Sequence, residues 1–386
     1  MFVGGCVRKY LTKEDIDDID IATIFSPVEL QEKFKETEFK IINTGIEHGS
    51  VTAVSPSSKF EITTLRIDVK TDGRHAEVSF TDNWKQDSER RDFTINAIYM
   101  NKKGKIYDPQ NGREDLKKNK IKFIGDAPTR IQEDCLRIIR FLRFTIHYQN
   151  TESDPITIEA IKLNLNSIKN IAKERTLNEL YKIFKLNNIN TLLNNKDIKH
   201  IFTLAFPEFK HLERMEKYFY LLKAKILLQS PEIIFSILLV DTKDNHEYFC
   251  HKYKVSNKLK KNLIFMAENY KKYKNEKNYI KKDLNKNVYK LGKENMKKIL
   301  GFIYCSEKKF STLLLIKTIE EINKLEIPTF PFNGQYLIKQ GLADGIKIGF
   351  ALKVLEKKWV QKDFNLNKTE AITIIDKVKR LNILNI

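Results

Sequence analysis

Two patterns of apolar and polar positions divide the chain. Up to about Ile106 the apolar residues fall in short alternating or clustered runs, such as Phe60-Glu61-Ile62-Thr63-Thr64-Leu65-Arg66-Ile67 and Ala76-Glu77-Val78-Ser79-Phe80. A period of two over such lengths predicts strands. Between them, Val28 to Glu38 predicts a helix, with Ser26 as N-cap and Pro27 in a first turn that needs no N–H donor. Beyond the turn-forming run Asp108-Pro109-Gln110-Asn111-Gly112 the strand signal fades and helical spacing takes over. Leu136, Ile138, Ile139, Phe141 and Leu142, interrupted by Arg140 and Arg143, mark the change, and Lys-rich amphipathic stretches continue from Ile156 to Leu300. The run Asn269 to Lys290, rich in Lys, Tyr and Asn, reads first as a solvated helix face, with a loop or an RNA-contacting surface as alternatives. Near the end, Gly341, Gly345 and Gly349 recur ahead of a helix expected over Phe350 to Trp359. That spacing fits either a plain loop or a helix N-terminus open to phosphate. The pattern predicts an α/β head followed by an all-α remainder.

Composition bounds the function. The 386 residues exceed what one compact core usually holds, so two or more domains are expected. With 41% hydrophobic and 31% charged residues and a mean hydropathy of −0.43, the chain is globular, and no apolar run reaches transmembrane length, so no membrane partner is expected. The opening Met1-Phe2-Val3-Gly4-Gly5 has no basic leader followed by an apolar stretch, which points to the cytoplasm. Cys6, Cys135, Cys250 and Cys305 are scattered, which predicts reduced thiols rather than a disulfide framework or thiolate zinc site. His246, Cys250 and His251 cluster without a second ligand pair and are set aside as a metal site. A net charge of +19 and a pI near 9.4 favour a polyanionic partner, although the abundance of Lys, Ile and Asn also fits the codon bias of an AT-rich genome.

Three constellations carry chemistry. Asp18-Ile19-Asp20 places two carboxylates two residues apart, so on an extended strand both face one site. Hard oxygen donors of this kind suit Mg²⁺, with water and substrate phosphates completing its shell. A lone Asp-x-Asp is also common in solvated loops. Arg90-Arg91-Asp92-Phe93-Thr94-Ile95-Asn96-Ala97 combines cations for a triphosphate with Asp92 and Asn96 for a ribose or base edge; it also reads as a capped helix start. In Glu133-Asp134-Cys135-Leu136-Arg137, a helix would set Asp134 and Arg137 on one face. A carboxylate and a guanidinium together complement the edge shared by cytosine and adenine, an amino donor beside a ring-nitrogen acceptor. Uracil and guanine would leave both groups facing the wrong partner. The alternative is an ordinary salt bridge on a solvated helix.

These blocks occur in order with Gly4-Gly5-Cys6-Val7-Arg8, His48-Gly49-Ser50-Val51-Thr52, Asp72-Gly73-Arg74-His75, the Asp108 to Leu116 stretch and Ile171-Ala172-Lys173-Glu174-Arg175 through Glu179-Leu180. Together they resemble the bacterial and eukaryotic class of tRNA nucleotidyltransferases, the CCA-adding enzymes, from Phe2 to about Phe144 and into the following helices; the tail from Gly334 to Trp359 also resembles bacterial members. The resemblance implies an α/β nucleotidyltransferase head with a mixed sheet over residues 1–108. It further implies a helical neck over 109–180, a body over 181–327 and a tRNA-binding tail over 328–386.

It also implies site roles. Asp18 and Asp20 would bind metal, with Glu61 a candidate third carboxylate, and the Gly4-Gly5 turn and Arg8 would lie near the triphosphate. Arg91, Asp92 and Asn96 would hold ribose and phosphates, with Arg140 also on the nucleotide. Asp134 and Arg137 would select CTP and ATP, and Asp72 and Arg74 would belong to a flexible loop that helps switch from C to A addition. The implied reaction joins CTP and ATP to the 3′ end of tRNA with Mg²⁺ as cofactor and pyrophosphate as leaving group.

Two departures stand out: Lys9 occupies a position where the family usually has Asp or Asn, and only three residues precede Gly4. Gly45 to Thr52 lacks the Gly-Arg/Lys-Arg-Phe block of bacterial poly(A) polymerases, and Asp68 to His75 runs without the gap of CC-adding members, so full CCA addition is expected. A non-catalytic RNA-binding protein with a decayed head is the alternative of another class; the intact Asp18, Asp20, Asp134 and Arg137 argue against it. The sequence leaves oligomeric state open.

Overall fold

The computed structural model describes residues 1–71, 76–150, 153–342 and 345–381. They form two compact units, one of residues 1–212 with 247–260 and one of residues 213–246 with 261–386.

The first unit opens with β1 (Phe2–Val3), α1 (Gly5–Thr12), β2 (Asp20–Thr23), α2 (Pro27–Phe34), β3 (Lys40–Gly45), β4 (Ser50–Val54) and β5 (Lys59–Thr64). It continues with β6 (Arg66–Thr71), β7 (Ala76–Phe80), α3 (Trp84–Glu89), β8 (Tyr99–Met100) and β9 (Ile106–Tyr107). Seven strands make one sheet in the order β3-β4-β5-β2-β1-β8-β9, and β6 and β7 form a separate antiparallel hairpin. Among the described residues only the β2–β5 pair is parallel, so the sheet is mixed as expected. The parallel pairing sets Asp20 opposite Glu61. The apolar run expected as one strand over Phe60 to Ile67 is two strands that part at Leu65, which is fully buried.

Ser26 caps α2 through a capping box with Glu29, and Pro27 opens its first turn. The helix ends at Phe34, earlier than the expected Glu38. The hydroxyl of Thr37 donates to the Phe34 carbonyl at 2.9 Å, and Phe34 meets Phe39 edge to face with centroids 5.9 Å apart, turning the chain into β3.

Helices follow: α4 (Gly112–Lys117), α5 (Ala127–Glu133), α6 (Leu136–Tyr148), α7 (Pro155–Asn164) and α8 (Lys173–Phe184). Helix α6 is buried on almost every side by Ile138, Ile139, Phe141, Leu142, Phe144 and Ile146, while Arg137, Arg140 and Arg143 keep a polar stripe three residues apart. Gly112 opens α4 because a Cβ there would stand 2.0 Å from the Thr94 carbonyl oxygen.

The second unit is helical. Helices Asn257–Asn275 (whose first residues, up to Lys260, belong to the first unit), Tyr279–Lys282 and Leu284–Leu291 cover the Lys-rich run, and Tyr270, Tyr273, Ile280 and Val288 are buried beneath the exposed lysines. The segment expected to begin a helix at Phe350 is helical from Gly345 to Gln361, so Gly345 and Gly349 lie inside the helix. That helix packs Ala351, Leu355 and Trp359 against Leu337, Ala371 and Ile375.

Candidate nucleotide and metal site

Gly4 caps the N-terminus of α1 with φ 72°, a left-handed conformation that glycine tolerates and other residues strain to adopt. Its missing side chain leaves a gap: a Cβ on Gly4 would stand 3.8 Å from Nη1 of Arg91 and 4.0 Å from Oδ2 of Asp20. Gly5 is the first residue of α1, and Arg8 lies one turn further along it.

Asp20 is the first residue of β2, and Asp18 lies in the non-strand segment just before it. Burial pushes the Asp20 carboxyl up, Arg91 and Arg8 draw it down, and the charge of Asp18 adds to the rise. Burial likewise raises the Glu61 carboxyl, with Asp20 and then Asp18 adding to the effect. Carboxylates raised by burial and by each other's charge are donors that a divalent cation would stabilise in the ionised form. Among the described residues, no three such side chains come together as a closed metal cage, so phosphate and water oxygens would complete the shell.

On the other side a chain of paired groups runs inward. Arg8 donates from Nη1 to Oδ1 of Asn96 and from Nε to the Tyr148 hydroxyl at 2.8 Å, with its guanidinium 4.7 Å from the Phe144 ring centre. The Asn96 amide donates to Asp92 at 2.8 Å, and Arg140 Nε donates to the second Asp92 oxygen at 2.6 Å. Burial alone would raise the Asp92 carboxyl, but Arg140, Asn96 and the Phe93 N–H hold it at about 2. Glu179 of α8 then accepts from Arg143 at 2.6 Å and lies 4.0 Å from Arg140. Arg91 and Arg90 both rest on Asp87, a fully buried carboxylate.

Asp134 and Arg137 do not share a helix face. Asp134 sits in the break between α5 and α6 with extended backbone (φ −150°, ψ 103°). Its Oδ1 accepts from the Leu136 N–H at 3.1 Å, and its Oδ2 accepts from Arg175 of α8 at 2.7 Å. Arg137 instead pairs with Glu133 at 2.6 Å and donates to the Arg130 carbonyl at 2.7 Å, both through Nη1. The helix breaks here because the Asp134 carboxylate takes the backbone N–H that starts the next turn. Asp72 and Arg74 lie outside the described residues.

Sequence reasoning missed Asp87, the pairing of Arg175 with Asp134, and a contact of 2.9 Å between His147 and Glu14, whose carboxyl that contact holds at about 2. Only Asp87 left a local signal, three and four residues before Arg90 and Arg91. Lys9 pairs with Asp17, whose carboxylate also accepts the Asp18 N–H at 3.0 Å.

Among the described residues no helix is long and apolar enough to cross a membrane. The Poly A polymerase head domain family matches residues 1–122. The human CCA tRNA nucleotidyltransferase 1, mitochondrial, is 34% identical over 97% of this chain and 86% of that protein. The crystal structure of a Bacillus stearothermophilus CCA-adding enzyme in complex with CTP has the same fold, with a TM-score of 0.68 at 23% identity over 100% of this chain and 94% of that one. So does a Thermotoga maritima CCA-adding enzyme complexed with tRNA, with a TM-score of 0.64 at 21% identity over 98% and 90%. An α/β head and a helical remainder, with an identity that runs nearly end to end, place this chain in the family of tRNA nucleotidyltransferases, the CCA-adding enzymes.

Proposed function

We propose that the chain adds CCA to the 3′ end of tRNA from CTP and ATP, without a nucleic-acid template. The observation that carries this reading is the likeness to the human tRNA nucleotidyltransferase along nearly the whole chain. The 3′ hydroxyl of tRNA attacks the α-phosphate, a phosphodiester bond forms and pyrophosphate leaves. Asp18 and Asp20 would hold Mg²⁺, with Glu61 beside them; when bound, the cation lowers the hydroxyl pKa and neutralises the leaving pyrophosphate.

The remaining work is positioning and electrostatics. Arg91 presents Nη1 to the gap left by Gly4, within reach of phosphates near Asp20. Arg8, Asn96, Asp92 and Arg140 form one ordered chain in which Asn96 and Asp92 meet the ribose and Arg140 fixes Asp92. Asp134 and Arg137 read the base. Each Asp134 oxygen keeps a lone pair beyond its present bond, and Arg137 makes its bonds through Nη1, which leaves Nε and Nη2 for a ring nitrogen. Asp72 and Arg74 would help the switch from C to A.

In this reading residues 1–108 act as head, 109–180 as neck, 181–327 as body and 328–386 as tail, and the basic helical regions hold the acceptor arm by its phosphates. Four free thiols fit a reducing compartment, for which we propose the cytoplasm; the human relative's name says mitochondrial, and cell fractionation decides between the two. The function is tested by incubating the protein with tRNA lacking its 3′ end, Mg²⁺ and labelled CTP and ATP, separately and together. Completion of CCA supports the reading. Arrest at CC, addition of A alone, a long A tail or no product each overturns it.

A further inference from the structure

Asp87 is a carboxylate with no solvent exposure, set on α3 beneath the nucleotide block. It takes five donors. Oδ1 accepts from Arg90 Nε at 2.8 Å and from the Arg66 backbone N–H at 3.2 Å. Oδ2 accepts from Arg91 Nη2 at 3.1 Å, from Arg91 Nε at 3.3 Å and from the Tyr99 hydroxyl at 2.7 Å. Burial would raise this carboxyl, but Arg91 and Arg90 pull it below the usual range, so it stays ionised.

The consequence lies in which edge of Arg91 is taken. Nε and Nη2 are held by Asp87, and Nε also donates to Tyr99 at 3.2 Å. Nη1 is the atom that borders the gap at Gly4, across from Asp20. An arginine side chain is rich in rotamer entropy, and a guanidinium fixed along one edge has already lost most of it before a ligand arrives. We propose that Asp87 is a positioning residue that aims the Nη1 edge of Arg91 at the phosphates of the incoming nucleotide.

This rests on the nucleotidyl-transfer reading above. The triphosphate is common to CTP and ATP, so Asp87 serves both nucleotides alike and has no part in choosing the base. An aimed phosphate contact made equally in ground and transition states sets KM rather than kcat.

The test is Asp87→Asn in the full chain. The amide keeps the shape and one acceptor but loses the charge that steadies Arg91 and Arg90. KM for CTP and for ATP are expected to rise together by about 10-fold, the scale of one charge-assisted contact, with kcat changed by no more than about 2-fold. Direct titration with CTP should show the same loss of affinity, while cytidine, which has no phosphates, should bind the variant and the wild type alike. Tyr99→Phe removes one donor and leaves the carboxylate, so a smaller rise of about 3-fold is expected there. A folded Asp87→Asn protein with unchanged KM, with a change for one nucleotide only, or with a fall in kcat alone overturns the proposal. Should Asp87→Asn fail to fold, Tyr99→Phe decides, and an unchanged KM in it is equally fatal. If the wild type binds CTP in an Asp87-dependent way yet transfers nothing to tRNA, the transfer reading fails and the positioning role stands.

Discussion

The site has two sides that treat carboxylates in opposite ways. Asp87 and Glu179 are buried and Asp92 is partly so, and each is met by one or more guanidinium groups that keep it ionised. Asp20 and Glu61 lie opposite each other in the sheet with Asp18 just ahead of β2; the three form no ion pair among the described residues, and burial, with the neighbouring carboxylates adding to it, pushes Asp20 and Glu61 upward. Permanent charge is matched within the protein on one side. On the other no ion pair matches it, Arg91 and Arg8 only drawing on Asp20 without pairing with it, which leaves charge that a divalent cation and a nucleotide would complete.

The largest break in this comparison comes from the unpaired side. Asp18→Ala or Asp20→Ala should lower nucleotide incorporation by about 10³-fold or more while leaving tRNA binding intact, since positive charge rather than these carboxylates holds RNA. A gel-shift with tRNA beside the incorporation assay checks both halves. Incorporation retained in these variants would sink the metal assignment.

The matched side is probed by acid. The Asp92 carboxyl falls from 3.8 to about 2 on folding, so its contribution to stability is fully present above pH 3.8 and is lost as the pH falls through 2. The shift corresponds to about 2 kcal/mol. Denaturant unfolding of the wild type should weaken by that amount between pH 4 and 2, and Asp92→Asn, less stable at neutral pH, should show a flatter acid limb. A variant with the same acid limb as the wild type would show that Asp92 is not the group responsible.

The smallest effect is expected at Lys9. Its pair with Asp17 lies at the surface, where Asp17 is 73% exposed, and such pairs contribute about 0 to 1 kcal/mol. Lys9→Ala should shift the thermal midpoint by no more than about 2 °C at moderate salt. A large loss of activity without a change in melting would instead mean that Lys9, through Asp17 and the Asp18 N–H, sets the position of Asp18.

What the sequence revealed depended on how local each signal was. The Ser26-Pro27 start of α2 needs only neighbouring residues and was legible, and so was the switch from strands to helices near Gly112. The end of α2 was not, because Phe34 stops to pack against Phe39. Asp18 and Asp20 could be singled out by spacing, whereas Glu61 becomes the neighbour of Asp20 only through pairing of strands that lie far apart in sequence. Asp134 and Arg137 could be named by resemblance, but their partners could not. Glu133 competes for Arg137 from the preceding helix, and Arg175 reaches Asp134 from a helix that begins far along the chain. Pairing with Glu133 and with the distant Arg175 outweighed the simplest intrahelical pair.

The parallel β2–β5 pairing acts as a ruler for the proposed reaction centre. Asp20 and Glu61 occupy the same rung, and side chains on successive rungs alternate faces. Adding or deleting a single residue between Ser55 and Lys59 leaves β5 free to keep its place, because the turn absorbs the change. The same insertion inside β5 ahead of Glu61 would carry that carboxylate to the opposite surface of the sheet without altering its chemistry. Length variation in this head is therefore tolerated by the turns and forbidden along those few rungs, whatever residue is inserted.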